Sequence, residues 1–127
     1  MTPFGVKIRE LRKAKGVTLK EMAIALGVSS AYLSALEHGK KGRPSWYLLQ
    51  RTINYFNIIW DDAEDIVALA RLSHPKITID TSSLSPAATE LANRLADDIS
   101  QMSNDEIVQH LSLLKKLPSL EEKIAKE

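Results

Sequence analysis

The sequence predicts an all-α fold, and three features of its apolar and punctuating residues predict it. Apolar side chains recur every three or four residues along most of the chain, which is the spacing of one face of an α-helix. Residues that cap helix N-termini precede these stretches, and glycines that can adopt a positive φ follow several of them. The alternating pattern of a β-strand occurs in one short segment near the middle of the chain.

Glycine and capping residues divide the first forty residues into three predicted helices. Together with the residues that begin and end them, these helices are predicted over residues 2–16, 18–27 and 30–38. The second opens with a capping box, because Thr18 and Glu21 can each accept a hydrogen bond from the other's backbone N–H. Only Val28 and Ser29 separate its final glycine from the third predicted helix.

Two more helices complete the N-terminal half. Pro44 suits the first turn of the fourth, which is predicted to run to about Asn57 with its apolar side chains on one face. The fifth is predicted over residues 61–72. Four acidic residues lie near its start, where the positive end of the helix dipole stabilises them. We therefore expect the first domain to end near residue 73.

The second half begins with a segment of different character. His74-Pro75 breaks the helix, and the β-branched alternation that follows predicts a short strand or an extended linker over 74–83. Two more helices are predicted beyond it, opened by Ser85-Pro86 and by a second capping box at Ser103, and Pro118 interrupts the last one. The predicted parts are a domain at 1–73, the linker at 74–83 and a helical region at 84–127.

Charge is distributed unevenly between the two halves. Residues 1–60 carry ten basic and three acidic side chains, a net charge of +7. Residues 61–127 carry seven basic and thirteen acidic ones, a net charge of −6. A basic surface suits a polyanion, because each phosphate contact releases condensed counterions. The asymmetry favours a nucleic-acid partner, and a solvated surface with uneven charge is the alternative.

The second and third predicted helices have the spacing of a helix-turn-helix motif. In that arrangement the first helix lies across the DNA backbone, and the second places its N-terminal residues in the major groove. The surrounding sequence resembles the Cro/CI repressor-type (XRE) helix-turn-helix family. The matching segments, in order, are IRELR at 8–12, GVTLKEMA at 16–23, LGVS at 26–29, YLSALEHGK at 32–40 and RPS at 43–45.

The resemblance covers about residues 4–72 and implies a five-helix DNA-binding domain. It places Arg12 and Glu37 as a partly buried ion pair between the first helix and the end of the recognition helix. The positions that it implies face bases or the groove are Ser29, Ser30, Ala31, Tyr32, Ser34 and Ala35. The positions that it implies meet DNA phosphates are Thr18, Lys20, Lys40, Lys41 and Arg43.

Two features depart from the usual pattern of that family. The second helix commonly begins with a glutamine that binds a phosphate, whereas this chain has Leu19. The recognition helix commonly carries Gln, Arg or Asn, which distinguish purines, whereas here the only large side chain at the base-facing positions is Tyr32. We therefore expect readout through serine hydroxyls, alanine contacts with thymine methyls, Tyr32 and DNA shape. Tyr32 could instead pack on Lys20 or lie along the backbone.

The second half of the chain carries a stripe of apolar side chains that must pack against another surface. Fewer than about 70 residues seldom bury a core of their own, so this region is expected to pack on the first domain or on a second copy. The residues assigned to dimerisation are Ile77, Ile79, Leu84, Leu91, Leu95, Ile99 and Met102. A homodimer is favoured, because a two-fold protein reads both half-sites of a palindrome. An intramolecular hairpin that senses a partner or ligand is the alternative.

The sequence shows no chemistry typical of an enzyme. It contains no cysteine, and its three histidines lie on separate elements. Catalytic and phosphate-cradling motifs are absent, so no enzyme activity, cofactor or metal site is expected. No apolar run approaches the roughly 18 residues of a membrane span. The N-terminal residues lack the basic start and the apolar stretch of a signal peptide. A cytoplasmic protein without a membrane partner is expected.

Two functions of different class fit these features. The favoured one is a sequence-specific transcriptional regulator that binds double-stranded DNA, with repression at a palindromic operator by a homodimer as the expected mode. The alternative is an antitoxin-like interaction module that neutralises a partner protein and autoregulates its own operon. A small toxin-like reading frame beside the gene would favour the alternative.

Overall fold

The computed structural model describes residues 1–117, and they fall into two units that divide between Thr78 and Ile79. The helices of the first unit are α1 (Pro3–Lys15), α2 (Leu19–Leu26), α3 (Ser30–Glu37), α4 (Trp46–Tyr55) and α5 (Trp60–Arg71). Those of the second are α6 (Pro86–Asp98), a short 3-10 helix (Ile99–Gln101) and α7 (Asn104–Lys115). The prediction of an all-α fold with a five-helix N-terminal domain is confirmed.

The early helices begin and end close to their predicted bounds because their caps are local. Thr18 Oγ1 accepts from the Glu21 amide at 3.0 Å, and Glu21 Oε1 accepts from the Thr18 amide at 3.3 Å, which completes the capping box of α2. Gly16 and Gly27 adopt φ values of 72° and 73° and end α1 and α2. These contacts span three or four residues, so the local sequence is sufficient to predict them.

Five helices enclose a single hydrophobic core in the first unit. Its fully buried members are Phe4, Ile8, Met22, Ala23, Leu26, Leu33, Leu36, Leu48, Leu49, Ile53, Ile66 and Ala70. Each buried aliphatic or aromatic side chain contributes about 1.5–3 kcal/mol relative to exposure. Because Leu33 and Leu36 belong to this core, it holds the inner face of α3 and leaves the opposite face accessible.

The bounds of α4 differ from the prediction. Ser45 is its N-cap and accepts a hydrogen bond from the Leu48 amide at 3.2 Å, so Pro44 lies before the helix and not in its first turn. The helix ends at Tyr55, two residues early, and Asn57 has a φ of 53°. A left-handed residue cannot continue a right-handed helix, which is why the chain turns there.

Of the two conformations predicted for residues 74–83, a short strand or an extended linker, the strand does not form. Over residues 1–117 the structure contains no β-strand, because a short strand has no hydrogen-bonded ladder without a partner segment. The segment forms local turns: His74 Nδ1 accepts from the Lys76 amide at 3.1 Å, and Asp80 Oδ1 accepts from the Ser82 amide at 2.9 Å. The hydroxyl and the amide of Ser82 lower the pKa of the Asp80 carboxyl.

The second unit has helices but, up to Leu117, not a single buried side chain. Ser85 caps α6, and a capping box between Ser103 and Glu106 opens α7. The amide and hydroxyl of Ser103 lower the pKa of the Glu106 carboxyl. The predicted interruption at Pro118 lies outside the described residues. None of the helices within residues 1–117 has the length and apolarity needed to cross a membrane.

Candidate nucleic-acid interface

The turn between α2 and α3 is held by hydrogen bonds at both of its ends. The Val28 amide donates to the Ala23 carbonyl at 3.0 Å, while the Gly27 amide donates to the Ile24 carbonyl at 3.1 Å. Ser29 Oγ then accepts from the Tyr32 amide at 3.0 Å and caps α3. The two helices of the motif are therefore joined by only three residues in a defined conformation.

The six residues expected to face bases or the groove lie at the start of α3 and along its length. Those that are exposed are Ser29, Ser30 and Ala31. Those that are half-buried are Tyr32, Ser34 and Ala35. Hydroxyls can donate to and accept from base edges, whereas alanine offers only a methyl group. This surface can therefore approach the floor of a groove closely, but it offers few side chains that could make bidentate hydrogen bonds to bases.

Tyr32 packs against the hydrophobic core and also lines an open cavity of about 350 Å³ beside it. The far side of this cavity carries Tyr47 and Arg51. Arg51 Nη1 donates to the Tyr47 hydroxyl at 3.0 Å, and Nη2 donates to the Ala25 carbonyl at 3.3 Å. Neither residue was assigned to the DNA interface from the sequence, although their spacing of four within one helix was a signal that they could meet.

The Arg12–Glu37 contact is made through one guanidinium nitrogen. Arg12 Nη2 lies 2.9 Å from Oε1 and 3.1 Å from Oε2 of Glu37, but only the Oε2 contact has hydrogen-bond geometry. Arg12 Nε is buried without a partner. Because the pair lacks the bidentate arrangement that compensates best for lost water, burial raises the pKa of Glu37 even though Arg12 lowers it.

The end of α3 is also fixed by the N-terminus of α1. The Glu37 carbonyl accepts from the Thr2 amide at 3.0 Å and from the Thr2 hydroxyl at 3.3 Å. Gly5 lies against the same peptide so closely that a Cβ there would overlap the carbonyl oxygen and lie 2.8 Å from its carbon. Backbone contacts, together with the ion pair, therefore set the position of the recognition helix.

The residues expected to meet phosphates lie in two places. Thr18 and Lys20 are exposed at the start of α2. Lys40, Lys41 and Arg43 are exposed in the loop between α3 and α4, which we call the basic loop (residues 39–43). Its glycines allow tight turning, because Gly39 and Gly42 adopt φ values of 80° and 73°. The structure places both groups in the first unit.

A second open cavity, of about 410 Å³, lies between α1 and the start of α2. Arg9 and Lys13 line it together with Thr18 and Ser34. These two basic residues lie next to Leu19, where the family commonly has a phosphate-binding glutamine. The sequence analysis counted Arg9 and Lys13 only in the net charge. Within residues 1–117, no three His, Asp or Glu side chains are grouped so as to hold a metal ion.

Comparison with known proteins agrees with this geometry. A family described as "Helix-turn-helix domain" matches residues 3–74. The chain is 48% identical over 44 residues to the uncharacterized HTH-type transcriptional regulator RghRB of Bacillus subtilis (strain 168), a segment that covers 35% of this chain and 32% of that protein. No solved structure matches the chain.

Two further relatives from the same organism match over segments of similar length. The HTH-type transcriptional repressor RghR is 41% identical over 44 residues, which is 35% of this chain and 33% of that protein. The HTH-type transcriptional regulator SinR is 38% identical over 48 residues, which is 38% of this chain and 43% of that protein. The chain thus matches less than half the length of each of these three relatives.

Proposed function

Because this chain belongs to the Cro/CI repressor-type (XRE) helix-turn-helix family of DNA-binding transcriptional regulators, we propose that it represses transcription from a palindromic operator as a homodimer. The observation that carries the proposal is the accessible N-terminal part of α3, held at the surface by the core and by a capped turn. One relative is named a repressor, which supports repression. The proposed site of action is the cytoplasm, and the proposal involves no catalytic step.

The proposed base-reading surface is the start of α3. Ser29, Ser30 and Ala31 are exposed there, and small side chains let the helix backbone approach the floor of the major groove. Tyr32 is the large side chain at the edge of this surface. With few bidentate contacts available, sequence-dependent DNA shape supplies the remainder of the specificity.

The proposed backbone-binding surface is the basic loop together with Thr18 and Lys20. Its cations are exposed, and the first half of the chain carries a net charge of +7. Contacts of this kind orient a protein on DNA without reading sequence. They also make affinity depend strongly on salt, because counterions are released at each neutralised phosphate.

A salt titration of duplex binding tests this surface. The triple variant Lys40→Ala, Lys41→Ala and Arg43→Ala should bind random-sequence duplex more weakly, with the slope of log K against log salt reduced by about 2–3. The matched control is Arg94→Ala, Lys115→Ala and Lys116→Ala, which removes the same charge from exposed positions of the second unit. If the two triple variants bind alike, the basic loop is not the phosphate-binding surface.

The proposed dimer forms through the second unit. Its stripe is accessible, with Leu84, Leu91 and Ile99 each more than half exposed. While these side chains remain in water, the helices lack the favourable free energy that burial of apolar surface normally supplies. A second copy covers the stripe and brings two recognition helices to the two halves of an operator.

A second candidate function is the neutralisation of another protein by the same region. The observation that favours it is that the exposed stripe lies in the half of the chain with a net charge of −6, which suits a basic partner. In this candidate, DNA binding serves autoregulation. A full-length chain that is monomeric in solution would favour it over the homodimer.

A further inference from the structure

The segment that follows α5 runs along the basic loop. Ser73 anchors its start, because its hydroxyl accepts from the Phe4 amide at 2.9 Å and donates to the Leu69 carbonyl at 2.5 Å. Pro75 Cβ then lies 3.6 Å from where a Cβ on Gly39 would be. Part of the segment predicted as a linker therefore packs against the loop that carries the exposed cations.

His74 contacts the other end of the loop. Its Nε2 lies 3.6 Å from the position that a Cβ on Gly42 would occupy, so the imidazole edge lies next to the peptide between Lys41 and Arg43. The ring is exposed.

A hydrogen bond decides which ring nitrogen of His74 carries the proton. Nδ1 accepts from the Lys76 amide at 3.1 Å, so in the neutral ring the proton is on Nε2. The structure therefore presents an N–H donor beside the basic loop. A phosphate oxygen accepts hydrogen bonds only, and it is the group that the cations of this loop attract.

We propose that His74 donates its Nε2–H to a DNA backbone phosphate bound at the basic loop, and that Lys76 adds a cation to the same surface. The proposal depends on the proposed function, because it extends the phosphate-binding surface of the first unit. It makes the segment after α5 part of the DNA interface. The chain then leaves the interface at the point where the second unit begins.

The variant His74→Asn separates this contact from any structural role. Asparagine Oδ1 can still accept from the amide two residues on, as in an Asx-turn, but no donor reaches the position of Nε2. We expect binding to random-sequence duplex to weaken about three- to tenfold. His74→Gln places an amide N–H near the Nε2 position and should restore most of the affinity.

His110→Asn is the matched control, since His110 is exposed on α7 and bonds its own helix through Nδ1. It should bind DNA as the wild type does. Lys76→Ala should reduce the salt slope by about 1. Unfolding by denaturant checks that each variant remains as stable as the wild type.

The possible outcomes distinguish the two proposals. If His74→Asn binds like the wild type while the basic-loop triple variant is weakened, this inference is wrong and the proposed function stands. If the wild type does not bind duplex DNA, both are overturned. If the triple variant keeps full affinity, the basic loop is not the phosphate-binding surface and this inference is wrong, while DNA binding through α3 stands. A stable His74→Asn variant with weaker binding, restored by glutamine, supports the assignment.

Discussion

The Arg12–Glu37 pair shows how one buried contact positions the recognition surface. Both residues are nearly inaccessible to solvent, at 8% and 1% exposure, and they join α1 to the last turn of α3. A buried pair of this kind adds little net stability relative to apolar residues, but removing one partner leaves the other buried without compensation. Its effect on stability can therefore be separated from DNA binding.

We expect Arg12→Ala to lower the free energy of unfolding by about 3 kcal/mol, because Glu37 would remain buried without a counter-charge. The double variant Arg12→Met with Glu37→Leu should lose much less, since it removes both charges and keeps the volume. Denaturant unfolding of the three proteins measures this difference. An Arg12→Ala variant as stable as the wild type would show that the ion pair does not hold the helices together.

The same pair predicts a pH dependence of stability. Burial raises the pKa of Glu37 above its ordinary value of 4.5, so the folded protein binds this proton more tightly than the unfolded chain does. The contribution of Glu37 to stability is therefore complete below pH 4.5 and falls as the pH rises through the raised pKa. Glu37→Gln removes this titration, so the stability of the wild type relative to the variant should decrease with rising pH. Parallel curves would contradict the assignment.

At the scale of elements, close packing of α1 on the end of α3 determines where the recognition helix lies. Thr2 supplies two hydrogen bonds to the Glu37 carbonyl, and Gly5 permits the approach. The start of α1 is tied in turn to the end of α5 through Phe4 and Ser73. Three helices separated in sequence thus meet at the base of the basic loop.

Gly5→Ala tests this close approach. The added methyl would overlap the Glu37 carbonyl, and backbone can yield only if α1 and α3 separate, so we expect a loss of about 3 kcal/mol. Gly16→Ala is the control: no atom lies within 4 Å of its Cβ position, and its φ of 72° costs about 1–2 kcal/mol. Thermal unfolding compares the two. Equal losses would mean that the α1–α3 contact tolerates a side chain.

At the scale of the whole molecule, the two units differ in how they bury apolar surface. The first has a core of twelve hydrophobic side chains. The second has none that is buried over the residues described, up to Leu117. Helices without a buried face are rarely stable in isolation, since propensity alone is insufficient for short helices. We therefore expect the stability of the second unit to depend most on a partner.

We predict that Leu91→Asp with Leu95→Asp abolishes dimerisation of the full chain, because two like charges per copy would be buried in the interface. The control Asn93→Asp with Ala96→Asp adds the same charge away from the stripe and should leave the dimer intact. Sedimentation of both variants and of a fragment ending at Thr78 measures this. If the fragment dimerises as tightly as the full chain, the contact lies in the first unit, where the exposed apolar side chains around α4 and α5 include Trp46, Tyr47, Ile59 and Trp60.

The sequence predicted most of the helices, because their ends are encoded by residues only three or four apart. The capping boxes at Thr18 and Ser103 are examples, and so is the left-handed glycine that ends α2. It misplaced the start of α4, because Pro44 and Ser45 are both good helix openers, and the structure caps the helix with Ser45, whose hydroxyl accepts from the Leu48 amide. It left residues 74–83 open between a short strand and an extended linker, because an alternating pattern is local, whereas strand pairing is not.

By itself, then, the sequence determined the five-helix domain, the helix-turn-helix motif within it and the concentration of positive charge in the first half of the chain. Tertiary structure alone decided that Arg51 bonds the Ala25 carbonyl, that the ion pair uses one nitrogen, and that His74 lies against Gly42. The reason is physical: caps and periodicity depend on neighbours within one helical turn, whereas these contacts join residues that only the packed helices bring together.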